Sequence, residues 1–272
     1  MAGWTAILEE LYEGSWSPDL QRFRSPYAFR GLAHAEHPLS SSLARLADGR
    51  AAASRLEVAL LRNFRKYAHG ESIGTDSVWE WLALAQHRGL PTRLLDWTYS
   101  PLVALHFATE NPRDFNRDAI IWCVNFVEAN KRLPRRLKRI LDQEGSETFT
   151  VEMLAGVGSL REFDALGREP FVVFLEPPAL DRRILQQFAL FSLMSSPTAS
   201  LDDWVRANPH LCRRVRIPAA LKWEIRDKLD QANINERVLF PGLDGLSRWL
   251  TRYYTPRAAE GEIQKPRGRK RP

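Results

Sequence analysis

The chain has 272 residues and lacks the features that mark several common classes of protein. Its two cysteines, Cys123 and Cys212, are too few for a disulfide framework or a structural zinc site, and both stand in apolar runs, as buried thiols do. No stretch approaches the ~20 apolar residues that a membrane-spanning helix needs. The first ten residues show neither the basic start nor the apolar run of a signal peptide. We therefore expect a cytoplasmic protein with no membrane contact.

Motifs for several kinds of catalysis are also missing. The sequence contains no glycine-rich phosphate loop, no Gly-x-Ser-x-Gly and no His-Glu-x-x-His. Carboxylates with metal-ligand spacing are absent, so we expect no metal. His106 stands on an apolar helix face, which indicates a partly buried histidine with a hydrogen-bond partner rather than a ligand. The histidines are dispersed, at His34, His37, His69, His87, His106 and His210.

Positive charge is present, but it is concentrated in two segments. The chain has 39 Lys and Arg against 33 Asp and Glu, a formal net charge of +6. Residues 257–272 carry +4 of this charge without apolar periodicity, which indicates a disordered tail. Residues 131–139 contain six Lys or Arg, which suit either a helix that contacts phosphates or a solvated helix face or loop. Any contact with nucleic acid is expected through these two segments.

Apolar patterns predict a single α+β domain over residues 1–255, followed by a basic tail over 256–272. Helical and strand-like runs do not alternate regularly, so we expect helices packed on a mixed or antiparallel sheet rather than a doubly wound sheet. Residues 40–43 are predicted to be loop. The predicted helices are 4–12, 55–69, 77–87, 101–110, 201–208, 218–230 and 245–253, and the predicted strands are 27–31, 119–127, 171–175, 189–193 and 214–217.

Polar residues crowd into the sequence QHRGLPTRLLDWTYSP, which lies between two apolar helices. These side chains must either hydrogen-bond with one another or face a cleft. In the first case Arg93 pairs with Asp96, and Thr98 or Ser100 caps the following helix. In the second case Arg93 and Asp96 orient a binding site. Both interpretations stay open on the sequence.

Four motifs stand out along the chain. The first is FRG at residues 29–31, and the second is the long and specific QHxGxPTRLLDWTxxPxxAxxFA at residues 86–108. The third is RIxxQ with a later Phe, within residues 183–191, and the fourth is LFPGLDG at residues 239–245. Together they make the chain similar to the FRG domain family, which is named for the sequence Phe-Arg-Gly. The resemblance covers residues 27–250.

The first three motifs also occur in the order found in arginine-specific ADP-ribosyltransferases. Those enzymes have a strand ending in aromatic-Arg-Gly, a Ser-Thr-Ser strand leading into a helix with Ala-x-x-Phe-Ala, and then an acidic motif. Residues 29–31, 96–108 and 183–191 occupy these places here. The resemblance implies a core similar to that of ADP-ribosyltransferases and NAD, or a related nucleotide, as ligand.

The chemistry of NAD indicates what such a site needs. Cleavage at the nicotinamide bond develops positive charge on the ribose, so the site needs an arginine for the pyrophosphate, an aromatic ring for the nicotinamide and a carboxylate near the ribose. The resemblance implies that Arg30 takes the first role and that Trp97 or Tyr27 takes the second.

Gln187 stands where the transferases have their catalytic glutamate. It forms hydrogen bonds but carries no charge, and losing such a contribution typically costs ~100- to 1000-fold in rate. Either Asp96 or Glu176 serves instead, or the domain binds a nucleotide without transferring it, or the analogy does not hold. The candidate catalytic residues are Arg30, Asp96, Thr98 and Gln187, and the candidate nucleotide-binding residues are Tyr27, Arg30, Gly31, Gln86, Arg93, Trp97 and Arg183.

Three functions are compatible with these residues. The first is a toxin or defence effector, bacterial or phage-encoded, that binds NAD and modifies a protein or nucleic acid. The second is a non-catalytic module that binds a nucleotide or nucleic acid. The third is a metal-independent nuclease acting through His87, for which the sequence shows no partner acid. Arg30 is either a ligand-binding residue or an internal brace that pairs with Asp96 or Asp244.

Overall fold

The structure is a computed structural model that describes residues 3–47, 50–68, 70 and 76–257. Residues 258–272 of the predicted basic tail lie outside the described residues, and so does His69. No helix in the described part of the chain is both long enough and apolar enough to cross a bilayer.

Helices surround a central sheet. Those of the first half are α1 (Trp4–Tyr12), α2 (Ser42–Leu46), α3 (Arg50–Tyr67), α4 (Val78–His87), α5 (Pro101–Ala108), α6 (Phe126–Asn130) and α7 (Arg135–Glu144). Those of the second half are α8 (Leu160–Asp164), α9 (Arg182–Gln186), α10 (Leu201–Ala207), α11 (Lys222–Gln231), α12 (Glu236–Leu239) and α13 (Leu243–Tyr253).

The strands confirm the predicted α+β class. A small hairpin pairs β1 (Trp16–Ser17) with β2 (Arg22–Phe23). The main sheet has the strand order β6-β7-β4-β3-β5-β8, and each neighbouring pair is antiparallel. Its members are β3 (Tyr27–Leu32), β4 (Leu94–Thr98), β5 (Ala119–Asn125), β6 (Val172–Leu175), β7 (Ala189–Met194) and β8 (Cys212–Ile217).

Both faces of the sheet are covered, which follows from the alternation of side chains along a strand. On one face Phe29 of β3 and Ile121 of β5 pack with α1, α5 and α11. On the other face Ala28 and Trp122 pack in a cluster that includes residues of β6 and α10. Because both faces of β5 are covered, its sequence is almost continuously apolar and shows little alternation.

Strand β4 occupies the middle of the sheet, although no strand was predicted there. Its sequence mixes polar and apolar residues, yet only Asp96 of the five is exposed. Thr98 can be buried without loss of free energy because its hydroxyl has hydrogen-bond partners. Trp97 is buried too, and its ring nitrogen donates to Ser192. Tertiary pairing with β3 and β7 therefore decides the conformation of this stretch, not its local pattern.

Strands β3 and β4 meet at one position, where Phe29 pairs with Thr98. By contrast, β3 pairs with β5 along its full length from Tyr27 to Leu32. The residues that follow Phe29 on β3 and those that precede Thr98 on β4 line a cleft. The opening between these two central strands creates the site described below.

Most predicted elements are confirmed, but besides β4 the sequence did not predict the hairpin β1–β2 or the short helices α2, α6, α9 and α12. Helix α2 begins at Ser42, where loop was predicted, with the Ser41 side chain capping it by accepting the N–H of Ala44. A five-residue helix is too short to show an apolar period. The predicted buried thiols are also only half right, because Cys123 is buried whereas Cys212 is partly exposed.

Candidate functional site

A cleft of about 470 Å³ opens between β3 and β4. Its size lies within the usual range of small-molecule sites, about 300–1,000 Å³. The last turn of α4, the end of α5 and the α9–β7 connection complete its walls. Of the residues proposed from the sequence, Arg30, Gly31, Gln86, Asp96, Trp97, Thr98, Arg183 and Gln187 border this cleft, and Tyr27 and Arg93 do not.

Arg30 bridges the two separated strands. Its Nη1 donates a hydrogen bond to the backbone carbonyl of Asp96 and lies 4.0 Å from Oδ2 of the same residue. Its Nε is buried and has no partner among the described residues. Burial lowers the pKa of Arg30, the Asp96 carboxylate opposes this shift, and the nearby Arg45 adds to it. The predicted brace to Asp96 therefore exists, and one donor of the guanidinium is left for another acceptor.

Asp96 projects into the cleft with 63% of its side chain exposed. Gln86 orients it, because its Nε2 donates to both carboxylate oxygens at 3.0 Å. The amide oxygen of Gln86 in turn accepts a 2.6 Å hydrogen bond from the hydroxyl of Thr92. This chain of bonds fixes which end of the Gln86 amide faces Asp96.

Arg93 does not pair with Asp96, and it is not among the residues that border the cleft. It is 4% exposed and lies outside the cleft. Its Nε donates to Glu57 at 2.6 Å, its Nη2 also bonds to Glu57, and its Nη1 donates to Asp164 at 2.5 Å. Residues three apart in an extended segment point to opposite sides, which separates Arg93 from Asp96. Arg93 instead ties α3 and α8 to β4.

Neither aromatic residue proposed to stack the nicotinamide presents its ring to the cleft. Trp97 is 3% exposed, and its indole packs edge-on against Phe174 at 5.9 Å. Tyr27 lies at the other end of β3, with the Arg213 guanidinium 4.8 Å from its ring. The ring available instead belongs to Phe107, which is half-buried and borders the cleft.

Thr98 and Gln187 join β4 to the α9–β7 connection. The Thr98 hydroxyl donates to the Gln187 carbonyl at 2.7 Å and accepts the N–H of Ser100 at 3.0 Å. With both bonds made inside the protein, Thr98 is a positioning residue. Ser100, not Thr98, caps α5, by accepting the N–H of Val103. The side-chain nitrogen of Gln187 donates to the Leu239 carbonyl at 2.9 Å, which ties the cleft wall to α12.

Glu110 is a cleft residue that sequence reasoning missed. It follows α5 and forms a 3.6 Å ion pair with Arg248 of α13. Partial burial raises its pKa, and Arg248 opposes that shift. Both Arg248 and the cleft residue Arg183 lie over the ring of Phe240, at 4.1 and 5.1 Å from its centroid. The only signal for Glu110 in the sequence was that it stands at the end of the predicted 101–110 helix.

Glu176, the other acid considered in place of a catalytic glutamate, does not border the cleft. Its Oε1 accepts hydrogen bonds from Tyr99 at 2.7 Å and Thr148 at 3.0 Å. Asp96 and Glu110 are thus the carboxylates that the cleft offers.

The basic segment 131–139 lies away from the cleft. It includes part of α7, which buries Leu137 and Leu141 and exposes its charged face. Lys131 pairs with Glu128, and Arg136 pairs with Glu162, each at 2.7 Å. This arrangement fits the solvated helix face, and contact with nucleic acid through 131–139 and 257–272 stays a prediction.

His87, the last residue of α4, also borders the cleft, with its side chain 10% exposed. Its Nε2 lies 2.8 Å from Oδ2 of Asp181, which precedes α9. Among the described residues there is no group of three or more His, Cys, Asp or Glu that is arranged to hold a metal ion.

The FRG family model matches residues 25–117. The chain contains an FRG domain. The matched residues supply β3, β4 and α2–α5, and with them one wall of the cleft, including Arg30, Gln86 and Asp96. The opposite wall, with Arg183 and Gln187, lies beyond the matched FRG residues. No curated protein and no solved structure matches the chain significantly.

Proposed function

We propose that the cleft binds NAD or a related nucleotide and that the protein acts on it in the manner of an ADP-ribosyltransferase. The observation that carries this proposal is the meeting of three distant segments in one cleft: Arg30 on β3, Asp96 on β4 and Gln187 before β7. These are the places where the motif order resembles that of the transferases.

The charges of the cleft favour an anionic ligand. Three arginines border it, Arg30, Arg45 and Arg183, against two carboxylates, Asp96 and Glu110. The Arg30 side chain is 19% exposed, although its Nε is buried and its Nη1 is bonded to the Asp96 carbonyl. A phosphate oxygen at the exposed part of the guanidinium would accept a charge-assisted hydrogen bond.

The other groups that the chemistry requires are available, though not all where the sequence suggested. Phe107 offers a ring for the nicotinamide in place of Trp97 or Tyr27. Asp96, held by Gln86, offers the negative charge that Gln187 lacks. Positive charge that develops on the ribose is stabilised by a carboxylate fixed in advance, because no reorganisation is then needed during the reaction.

Calorimetric titration with NAD tests the proposal, using the wild type and Arg30→Ala. We expect the wild type to bind and Arg30→Ala to bind about 10- to 100-fold more weakly, since hydrogen bonds to charged groups contribute about 1.5–3 kcal/mol. The control is Arg206→Ala, which removes an exposed arginine paired with Asp202 outside the cleft. Its affinity should equal that of the wild type.

Two further measurements make the result decisive. Melting temperatures show whether Arg30→Ala still folds. If it does not fold, the titration uses Arg30→Lys, which keeps the positive charge. Chromatography of the incubated NAD shows whether nicotinamide is released. NAD binding without release would identify the alternative, a non-catalytic nucleotide-binding module. Absence of NAD binding by the wild type would refute the proposal.

A further inference from the structure

His87 and Asp181 form a pair at the edge of the cleft that the proposed roles leave unused. The His87 Nε2 atom lies 2.8 Å from Asp181 Oδ2, and His87 is one of the residues that border the cleft. The Nδ1 atom makes no hydrogen bond to a described residue. One ring nitrogen is therefore committed to Asp181, and the other is available to a ligand.

Asp181 is itself fixed by the helix that it precedes. Its Oδ1 accepts the backbone N–H of Arg183 at 2.8 Å and that of Ile184 at 3.2 Å, which makes it the N-cap of α9. Partial burial opposes ionisation of Asp181, but the bond from Ile184 and the contact with His87 outweigh it and lower its pKa. The carboxylate is thus ionised and positioned.

The state of Asp181 determines the tautomer of His87. An ionised carboxylate only accepts hydrogen bonds, so the neutral imidazole must carry its proton on Nε2. The Nδ1 atom then holds a lone pair. A histidine oriented by a carboxylate in this way is the arrangement that allows general-base catalysis.

Building on the proposed function, we propose that His87 is the general base of this cleft, that Asp181 is its positioning residue, and that the group it deprotonates is a hydroxyl. In this step the bond between the ribose C1′ and the nicotinamide nitrogen breaks, and its electron pair leaves with the nicotinamide. The hydroxyl oxygen bonds to C1′, and its proton passes to Nδ1 of His87. No oxidant or reductant is needed.

A hydroxyl suits this cleft better than a cationic acceptor. Asp96 accepts hydrogen bonds from Gln86, and Glu110 pairs with Arg248, so both carboxylates of the cleft already have partners in the protein. A hydroxyl needs a base, because the neutral oxygen is a weak nucleophile, and His87 is placed to supply one. The hydroxyl belongs either to a macromolecule or to water.

The variant Asp181→Asn should change the tautomer of His87 while it keeps the N-cap of α9. Asparagine is as good an N-cap as aspartate, so its oxygen keeps the N–H groups of α9. The amide nitrogen then faces Nε2 of His87 and donates to it, which moves the ring proton to Nδ1 and removes the lone pair. Nitrogen-15 spectra of labelled histidine should show the Nε2–H tautomer in the wild type and the Nδ1–H tautomer in the variant.

NAD binding and nicotinamide release are then measured in the wild type, His87→Asn, Asp181→Asn and the control His210→Asn, whose histidine is exposed and outside the cleft. We expect both site variants to bind NAD as the wild type does and to release nicotinamide at least about 100-fold more slowly, as removal of a general base predicts. His210→Asn should match the wild type. With labelled NAD, free ADP-ribose identifies water as the acceptor, and label on a hydroxyl of protein or nucleic acid identifies a macromolecule.

Several outcomes would overturn this inference while the proposed function stands. They are an Nδ1–H tautomer in the wild type, undiminished release by His87→Asn, or label on arginine side chains. Binding of NAD without any release would instead refute the transferase-like activity and the role of His87 together. Failure of the wild type to bind NAD would instead refute the proposed function, and the role of His87 would be refuted with it.

Discussion

Arg93 and Asp96 stand three residues apart, yet they belong to different parts of the protein. Asp96 faces the cleft, whereas Arg93 is buried between Glu57 and Asp164. Pairing of the two was one of the alternatives that the sequence left open, but an extended segment places them on opposite sides. The same alternation turns the Trp97 indole to the side of β4 that faces away from the cleft. The residue types alone thus indicated a polar site. The geometry of the strand determines which of these side chains face the cleft.

Gly31 shows a different constraint on the FRG motif, one of close packing. A Cβ atom at this position would lie 1.9 Å from the backbone carbonyl oxygen of Ala104 on α5. The motif needs glycine here because the strand carrying Arg30 rests directly on that helix. Gly31 borders the cleft, but the motif needs glycine there for packing against α5 and not for contact with a ligand.

Gly31→Ala should therefore destabilise the protein strongly. Backbone atoms cannot rotate away as a side chain can, so we expect a loss of about 3 kcal/mol in the free energy of unfolding, at the upper end for overpacking. Urea denaturation measures this loss. The matched control is Gly156→Ala, where a Cβ would meet nothing within 4 Å. A Gly31→Ala protein as stable as the wild type would show that β3 and α5 are not in contact.

Among the elements, the C-terminal helices are held to the FRG residues by a buried polar network. Arg226 of α11 contacts His106 Nδ1 of α5 at 2.8 Å and donates to Glu236 of α12 at 2.9 Å. Arg252 of α13 joins Glu236 to Asp230 with bonds of 2.7–2.8 Å. His106 was predicted to be partly buried with a hydrogen-bond partner. It has that partner in Arg226, but it is fully buried, and its Nε2 has no partner among the described residues.

This network makes stability depend on pH. Burial, reinforced by Arg226, lowers the pKa of His106 to about 3, against 6.5 ordinarily. Between these values the unfolded chain binds a proton that the native protein does not. The contribution of His106 to stability is therefore fully present above pH 6.5 and falls as the pH is lowered towards 3.

His106→Gln should flatten this part of the pH profile, since an amide does not titrate while its oxygen still accepts from Arg226. The free energy of unfolding in urea, measured from pH 7 to pH 4, provides the comparison. His210→Asn, which removes an exposed histidine, should keep the slope of the wild type. An equal slope in His106→Gln and the wild type would show that His106 titrates normally in the native protein.

Across the whole molecule, the cleft depends on residues far outside the stretch that the FRG model matches. Residues 25–117 supply β3 and β4, but β5, β7 and the outer strands come from later in the chain. Within the matched residues the two strands pair only at Phe29 and Thr98. The predicted domain of residues 1–255 is consistent with this dependence and stays a prediction.

Residues 25–117 expressed alone should consequently fail to fold. Without β5 and β7 the two strands lose nearly all their backbone partners, and an isolated pair of strands is marginally stable at best in water. Circular dichroism and amide proton dispersion of 25–117 and of 3–257 would compare the two. A cooperative unfolding transition in the shorter fragment would contradict the prediction.

The amino-acid sequence by itself determined the α+β class, most helices, every strand of the main sheet except β4, and the identity of the FRG motifs, because apolar periodicity and turn residues act locally. It also placed Arg30, Asp96 and Gln187 on the list of site residues. Only the tertiary structure decided that β4 is a central strand, that Arg93 is a brace, that Glu110, Phe107 and His87 border the cleft, and that Asp181 pairs with His87. These depend on contacts between distant segments, such as His87 and Asp181, which are 94 positions apart. Such contacts leave no periodic trace in the chain.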